Sequence, residues 1–150
     1  MIDQNALTGF LQEAIRCQSL TGEEEKFIRL VCGEMTTLGY DRIWIDETGN
    51  AIGEIQGKYS GPSVLLDAHA DTVGAEPSDW LYHPFEGRIV SDRLFGRGTA
   101  DTKGNLAAML HAAAAVDRNS LVGRILVCAS VHEENFEGGS LRIICEQIQP

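Results

Sequence analysis

"SVLLDAHADTVG", residues 63–74, opens as a β-prone run of Val64, Leu65 and Leu66 and closes on Asp67, His69 and Asp71. A strand that ends in carboxylates around an imidazole, rather than in a plain turn, has a companion further on. "GRILVCASVHEEN", residues 123–135, is an apolar strand that ends in His132, Glu133 and Glu134. Between the two lies "GRGTADTKGN", residues 96–105, with Asp101 just before an Ala- and Leu-rich stretch at helical spacing from Lys103 to Val116. Strand, helix, strand over residues 63–131 is a βαβ unit, which calls for a parallel pair joined by a right-handed crossover. Both strands are apolar on both faces, so the expected class is α/β, with a parallel-rich sheet covered by helices on both sides. Sites in open α/β sheets form at the carboxyl ends of the strands. The three polar clusters therefore belong on one edge.

The flanking sequence fits that frame. Residues 3–18 read as an amphipathic helix carrying Leu7, Phe10, Leu11, Ala14 and Ile15 on one stripe. Thr21 and Glu24 match a capping box that opens a second helix, with Phe27, Ile28, Val31, Met35 and Leu38, stopped by Gly39. "DRIWID" and "AIGEIQ", residues 41–46 and 51–56, alternate as strands around the turn "ETGN". "GRIVSDRLFG", residues 87–96, predicts a hairpin, and residues 138–148 predict a closing amphipathic helix.

Composition narrows the partners. With 12 basic against 22 acidic residues and a net charge of -10, the chain lacks the basic patches that nucleic acid or anionic membranes require. A cation suits it better. "MIDQNALTGF" has neither the basic start nor the apolar block of a signal peptide, and "LAAMLHAAAAV" is too short to span a bilayer. Cys17, Cys32, Cys128 and Cys145 form no C-x-x-C pair, and three of them have apolar neighbours. They read as reduced, buried thiols of a cytoplasmic protein.

His69 and Asp71 are two apart, so on an extended chain they point to one side. The carboxylate can then take one imidazole N–H and leave the other nitrogen for a metal. Asp101, between Gly98 and Gly104, can offer an oxygen to each of two cations. Glu133 and Glu134, on an extended segment, point apart, so that one binds metal while the other faces a water, as metal-assisted hydrolysis requires. Taken singly, each has an ordinary reading: a core histidine, a helix-start acid, a solvated loop pair. Their order and their shared place at strand ends favour a joint site. His83 and His111 keep the ordinary reading.

"LLDAHADTV", "LFGRGTADTKGNLAAML" and "VHEENFEGGS" together resemble the three successive motifs of the dizinc metallopeptidase and deacylase family. That family includes acetylornithine deacetylase, succinyl-diaminopimelate desuccinylase, carboxypeptidase G and bacterial tripeptidases. "SDWLYHPFEGRIVSDRLFGRGTADTKG" resembles the family's stretch between its first two motifs. The resemblance implies that His69 is a zinc ligand, Asp71 its orienting carboxylate and Asp101 the bridge between two zinc ions. It implies Glu133 as general base and Glu134 as ligand of the second ion, with cobalt or manganese able to replace zinc. It further implies a cis peptide bond between Asp101 and Thr102.

The substrate class implied is an N-acyl amino acid or small peptide. Family members run well beyond 150 residues, with an inserted dimerisation domain and further ligands after the motifs matched here. Residues 1–150 are thus expected to form the N-terminal part of a zinc-hydrolase catalytic domain, without the inserted domain and C-terminal half. An incomplete sheet of this kind invites self-association. Two rival expectations are a truncated, catalytically silent protein that keeps the fold and weak metal binding, and a metal-free α/β interaction domain with a solvated acidic edge.

Overall fold

The computed structural model describes residues 1–136 and 139–148. Helix α1 spans Gln4–Arg16, and its first turn is capped by Asp3, whose Oδ1 accepts the amides of Asn5 at 2.9 Å and Ala6 at 3.2 Å. Helix α2, Glu25–Thr37, ends at Gly39, which takes a φ of 75° that a side chain would resist. Its start corrects the expected capping box. Neither Thr21 nor Glu24 caps the helix, because the Thr21 hydroxyl is bound to Asp71 and the Glu24 carboxylate to the backbone of His132.

Strands β1, Arg42–Ile45, and β2, Ala51–Gln56, form an antiparallel hairpin whose turn is organised by Asp46 Oδ1, which accepts the amides of Thr48, Gly49 and Asn50. Strand β3, Tyr59–His69, is longer than the apolar run that announces it. The short hairpin β4, Arg88–Val90, and β5, Arg93–Phe95, lies where expected. Helix α3, Lys103–Ala114, leads to β6, Val122–Ser130. A one-turn helix α4, Glu133–Phe136, and helix α5, Gly139–Ile148, follow. Residue 138, the expected start of α5, lies outside the described residues.

The main sheet runs β1-β2-β6-β3. It is mixed: β3 pairs with β6 in parallel, as the βαβ pattern requires, while β1–β2 and β2–β6 are antiparallel. Alternation along each strand sorts side chains between two cores. On one face Ile55, Leu66, Ala68, Ile125, Val127 and Ala129 meet the buried stripes of α1, α2 and α3. On the other, Ile52, Leu126 and Cys128 pack on Ile144 of α5. All four cysteines are free, with Cys17 and Cys128 buried, Cys32 partly buried and Cys145 exposed, so fewer are fully enclosed than their neighbours suggested.

One buried side chain contradicts its composition. Lys103, at the start of α3, is 2% exposed. Its ammonium donates to the carbonyls of Ala14 at 3.0 Å and Cys17 at 2.7 Å, and it lies 4.1 Å from the centroid of the Phe27 ring. The last turn of α1 has carbonyls without helical partners, and the lysine satisfies them. Burial pulls its pKa down to about 8, against a smaller upward pull from Cys17. Lys103 thereby ties the end of α1 to the turn that carries Asp101.

Where β6 begins beside the irregular stretch of β3 between Tyr59 and Ser63, Gly123 has a φ of 88°, and a Cβ there would collide with the Pro62 carbonyl. Gly123→Ala is expected to lower stability by about 2 kcal/mol or more, the combined cost of a left-handed backbone and of overpacking. Urea unfolding would measure it, and an unchanged midpoint would show that the β3–β6 junction is looser than this contact implies.

Candidate metal centre

The parallel register sets His69 opposite Ser130, and the Ala70 amide continues the ladder to the Ser130 carbonyl at 2.6 Å. Both strands then stop. Beyond β3 the chain is held by the segment after α1: the Ser19 hydroxyl donates to the Ala70 carbonyl at 2.7 Å, and the Thr72 amide to the Ser19 carbonyl at 2.8 Å. Beyond β6, His132 turns the chain with a φ of 64°, and Glu133 and Glu134 enter the first turn of α4. The expected extended segment is replaced by a helical turn, which separates neighbouring side chains by about 100° rather than placing them on opposite sides.

Asp101 reaches the same edge from the turn before α3, and the Asp101–Thr102 peptide bond is cis. The Lys103 amide donates to the Gly98 carbonyl at 2.8 Å and so closes that turn. One ligand atom each from His69, Asp101 and Glu134 lies within 4.8 Å of the others. Glu133 Oε2 stands 3.7 Å from His69 Nε2. An imidazole nitrogen and two carboxylates gathered at this range form a donor set that fits zinc.

Asp71 lies beside the His69 ring and also reaches the turn after β6. The His69 Nδ1 contact at 2.9 Å is to the backbone carbonyl of Asp71, while the carboxylate Oδ1 is 3.5 Å away. The carboxylate is taken by other donors. Oδ2 accepts the Thr21 hydroxyl at 2.8 Å and the Glu134 amide at 3.1 Å, and Oδ1 accepts the Glu133 amide at 3.1 Å. Asp71 is fully buried and acts first on the backbone of the Glu133–Glu134 turn.

The remaining ring nitrogen, Nε2, lies 3.0 Å from Asp101 Oδ1. Burial pulls the His69 pKa down, but Asp101, the Asp71 carbonyl and the charges of Glu133 and Asp71 together hold it above the ordinary 6.5. Asp67, two residues earlier on β3, is raised chiefly by burial, with the Ser130 hydroxyl donating to its Oδ2 at 3.2 Å. A cleft of about 250 Å³ adjoins Asp101, floored by Trp80, Leu94 and Phe95, and the Arg97 guanidinium lies 5.1 Å from the Trp80 centroid. His111 stays apart in the helical core, its Nε2 3.0 Å from Glu34 Oε1. His83 also lies elsewhere, in the loop ahead of β4, where its Nδ1 accepts the Phe85 amide at 3.3 Å. Thr21, Glu24, Asn50 and Lys103 were not legible as parts of the site, since each matches an ordinary cap, turn or helix-surface position.

The model of Peptidase family M20/M25/M40 matches residues 65–149, more than half of the chain. The chain is 33% identical over 148 residues to the uncharacterized protein YgeY of Escherichia coli (strain K12), covering 96% of this chain and 36% of that protein. It is 33% identical over 120 residues to the succinyl-diaminopimelate desuccinylase of Methylorubrum populi, covering 75% of this chain and 30% of the enzyme. In fold it is similar to an M20 family metallo-carboxypeptidase from Sulfolobus solfataricus, with a TM-score of 0.81 at 23% identity over 97% of this chain and 34% of the other. The chain spans about a third of the length of the curated relatives it matches. It belongs to Peptidase family M20/M25/M40.

His69 allows a check in the metal-free protein. A folded-state pKa above 6.5 means that the protonated ring stabilises the fold. That contribution is complete below the unfolded value and is lost as pH rises through the folded one. Asp101→Asn is expected to lower the His69 pKa, read by NMR titration of the ring. It should also cost up to about 1 kcal/mol at acidic pH, since Asp101 is largely exposed, and nothing at alkaline pH. A ring that titrates identically in both proteins would remove Asp101 as its partner.

Proposed function

We propose, with family membership as the premise, that the chain supplies part of the catalytic centre of a zinc-dependent hydrolase that cleaves an amide bond in an N-acyl amino acid or a small peptide. The observation that carries this reading is the approach of His69, Asp101 and Glu134 within 4.8 Å on the edge where the two parallel strands end. His69 and Asp101 would hold one ion and Asp101 and Glu134 a second, a set that cobalt or manganese would also accept. Zinc held there would acidify a water and polarise the scissile carbonyl.

The chain's own groups supply the rest. Glu133, half exposed beside the His69 ring, is placed to take a proton from water and return it to the leaving amine. Asp71 pins the backbone beneath both glutamates. The cleft beside Asp101 offers aromatic and aliphatic surface to a substrate side chain. The desuccinylase among the relatives supports an N-acyl substrate, and the metallo-carboxypeptidase fold supports a metal-assisted reaction.

By this reading, residues 1–150 are the N-terminal part of a larger catalytic domain, with the inserted domain and C-terminal half outside it. Four free thiols support a reducing compartment, the cytoplasm, and among the described residues no helix is long and apolar enough to cross a membrane. The net charge of -10 argues against nucleic acid as a partner. Strand β3 pairs on one side alone among the described residues, and half-exposed Val64 and Tyr59 along it support self-association.

With two protein ligands per ion instead of the usual three, the 150-residue chain is expected to bind zinc weakly and to turn over almost no N-acetyl amino acid. Calorimetric zinc titration followed by an amine-release assay checks both, and tight binding of two ions with robust turnover would refute the partial-site reading. In the longer protein, Glu133→Gln should cut turnover by about 10²–10⁴-fold with zinc content unchanged. Full activity in that variant would assign the proton to another group.

A further inference from the structure

Between Ser130 and the first hydrogen bond of α4, the Phe136 amide to the His132 carbonyl, lie five amides, and the first four, of residues 131–134, leave the sheet together. Such amides ordinarily face water or a single capping side chain. Here each meets a side chain brought from far away in sequence. The Val131 amide donates to Asn50 Oδ1 at 2.8 Å, the His132 amide to Glu24 Oε1 at 3.1 Å, and the Glu133 and Glu134 amides to the two oxygens of Asp71 at 3.1 Å. Asn50 and Asp71 are fully buried and Glu24 nearly so.

The acceptors are themselves fixed. Asn50 Nδ2 donates to Asp46 Oδ2 at 2.8 Å, and Asp71 receives the Thr21 hydroxyl. A second observation is what this arrangement forgoes. Glu24 stands at the N-terminus of α2 and makes no side-chain cap there. Thr21, three residues before it, likewise turns to Asp71. The α1–α2 segment gives up a local cap to hold a turn more than 100 residues away.

We infer that Glu24, Asn50 and Asp71 form a cradle that fixes the backbone of residues 131–134, and that Glu24 and Asn50 are positioning residues which aim Glu133 and Glu134 at the metal centre. The inference rests on the metal-site reading given above. It adds residues from the first third of the chain that touch neither ion nor substrate. Glu24 acts through the His132 amide, whose positive φ sets the direction in which α4 departs. Acceptors that orient a metal ligand typically change affinity by about 10–100-fold when removed.

The test uses the 150-residue chain and zinc alone, with two readouts. In the metal-free, isotope-labelled protein, amide exchange at residues 131–134 is followed by NMR beside that of Leu126–Ser130 in β6. Zinc affinity is measured by calorimetry. Glu24→Ala should speed exchange of the His132 and Glu133 amides by about ten-fold or more, leave β6 unchanged and weaken zinc about ten-fold. Glu24→Gln, which keeps an acceptor oxygen in place, should return both readouts to within about three-fold of the unaltered chain. Should Glu24→Ala not fold, Thr21→Val carries the test: it removes only the hydroxyl on Asp71, and the faster exchange should then fall on Glu133 and Glu134. Exchange that rises equally along β6 would mean a merely structural role and overturn the proposal. Zinc bound by the unaltered chain with the same affinity in Glu24→Ala overturns the cradle alone, whereas no zinc bound by the unaltered chain overturns the reading beneath it.

Discussion

The buried carboxylate of Asp71 is where three separate parts of the chain are joined. It leaves the end of β3, takes a hydroxyl from the α1–α2 segment and takes two amides from the turn after β6. Burying an ionised carboxylate is costly unless its lone pairs are filled, and three donors fill them here. Losing any one donor would leave the carboxylate short of a partner, so the strand ends and the first loop are coupled through it. Hydrogen bonds to a charged acceptor contribute roughly 1.5–3 kcal/mol each, more than most single contacts on this edge.

That coupling answers a problem the site creates. Asp101 and Glu134 bring carboxylates within 4.8 Å of each other, with Glu133 close by. Like charges at that range repel, and water around the largely exposed Asp101 screens them only in part. An exposed ion pair contributes at most about 1 kcal/mol, so surface charges could not hold the arrangement closed. The His69 ring lies among these acids; burial pulls its pKa down, while its hydrogen bonds to Asp101 and the Asp71 carbonyl and the nearby charges hold it above the ordinary value. Asp71, Glu24 and Asn50 hold the backbone of residues 131–134, and the Lys103 amide closes the turn that carries Asp101, so the acids stay near one another despite the repulsion.

The architecture was readable from periodicity because the energetics of sheets and helices are local to each element. Residues 63–131 alternate apolar faces, then switch to helical spacing, then return to an apolar strand, and the structure places β3, α3 and β6 accordingly. The polar clusters were also readable, since His69 and Glu134 follow apolar strands and Asp101 stands just before the helical stretch. What periodicity could not show was where side chains far apart in sequence would spend their hydrogen bonds. Thr21 and Glu24 carry a local capping pattern, yet the tertiary partners Asp71 and His132 outcompete it. His132 takes a left-handed conformation that only a few per cent of residues with a side chain adopt, so the helical turn at Glu133 had no clear sequence signal.

Lys103 shows the same limit from the opposite sign of charge. Two residues after Asp101, it begins the stretch at helical spacing, where a lysine ordinarily keeps its charge in water. The structure instead buries its ammonium against two carbonyls of α1 and the face of Phe27. The acidic edge is thereby left without a nearby lysine, and His69 becomes the cationic group closest to Asp101, at 3.0 Å. Placing Lys103 inside the core keeps these carboxylates free of a permanent partner. By the metal-site reading proposed above, that freedom matters, because a salt bridge across the site would have to break before any ion could enter.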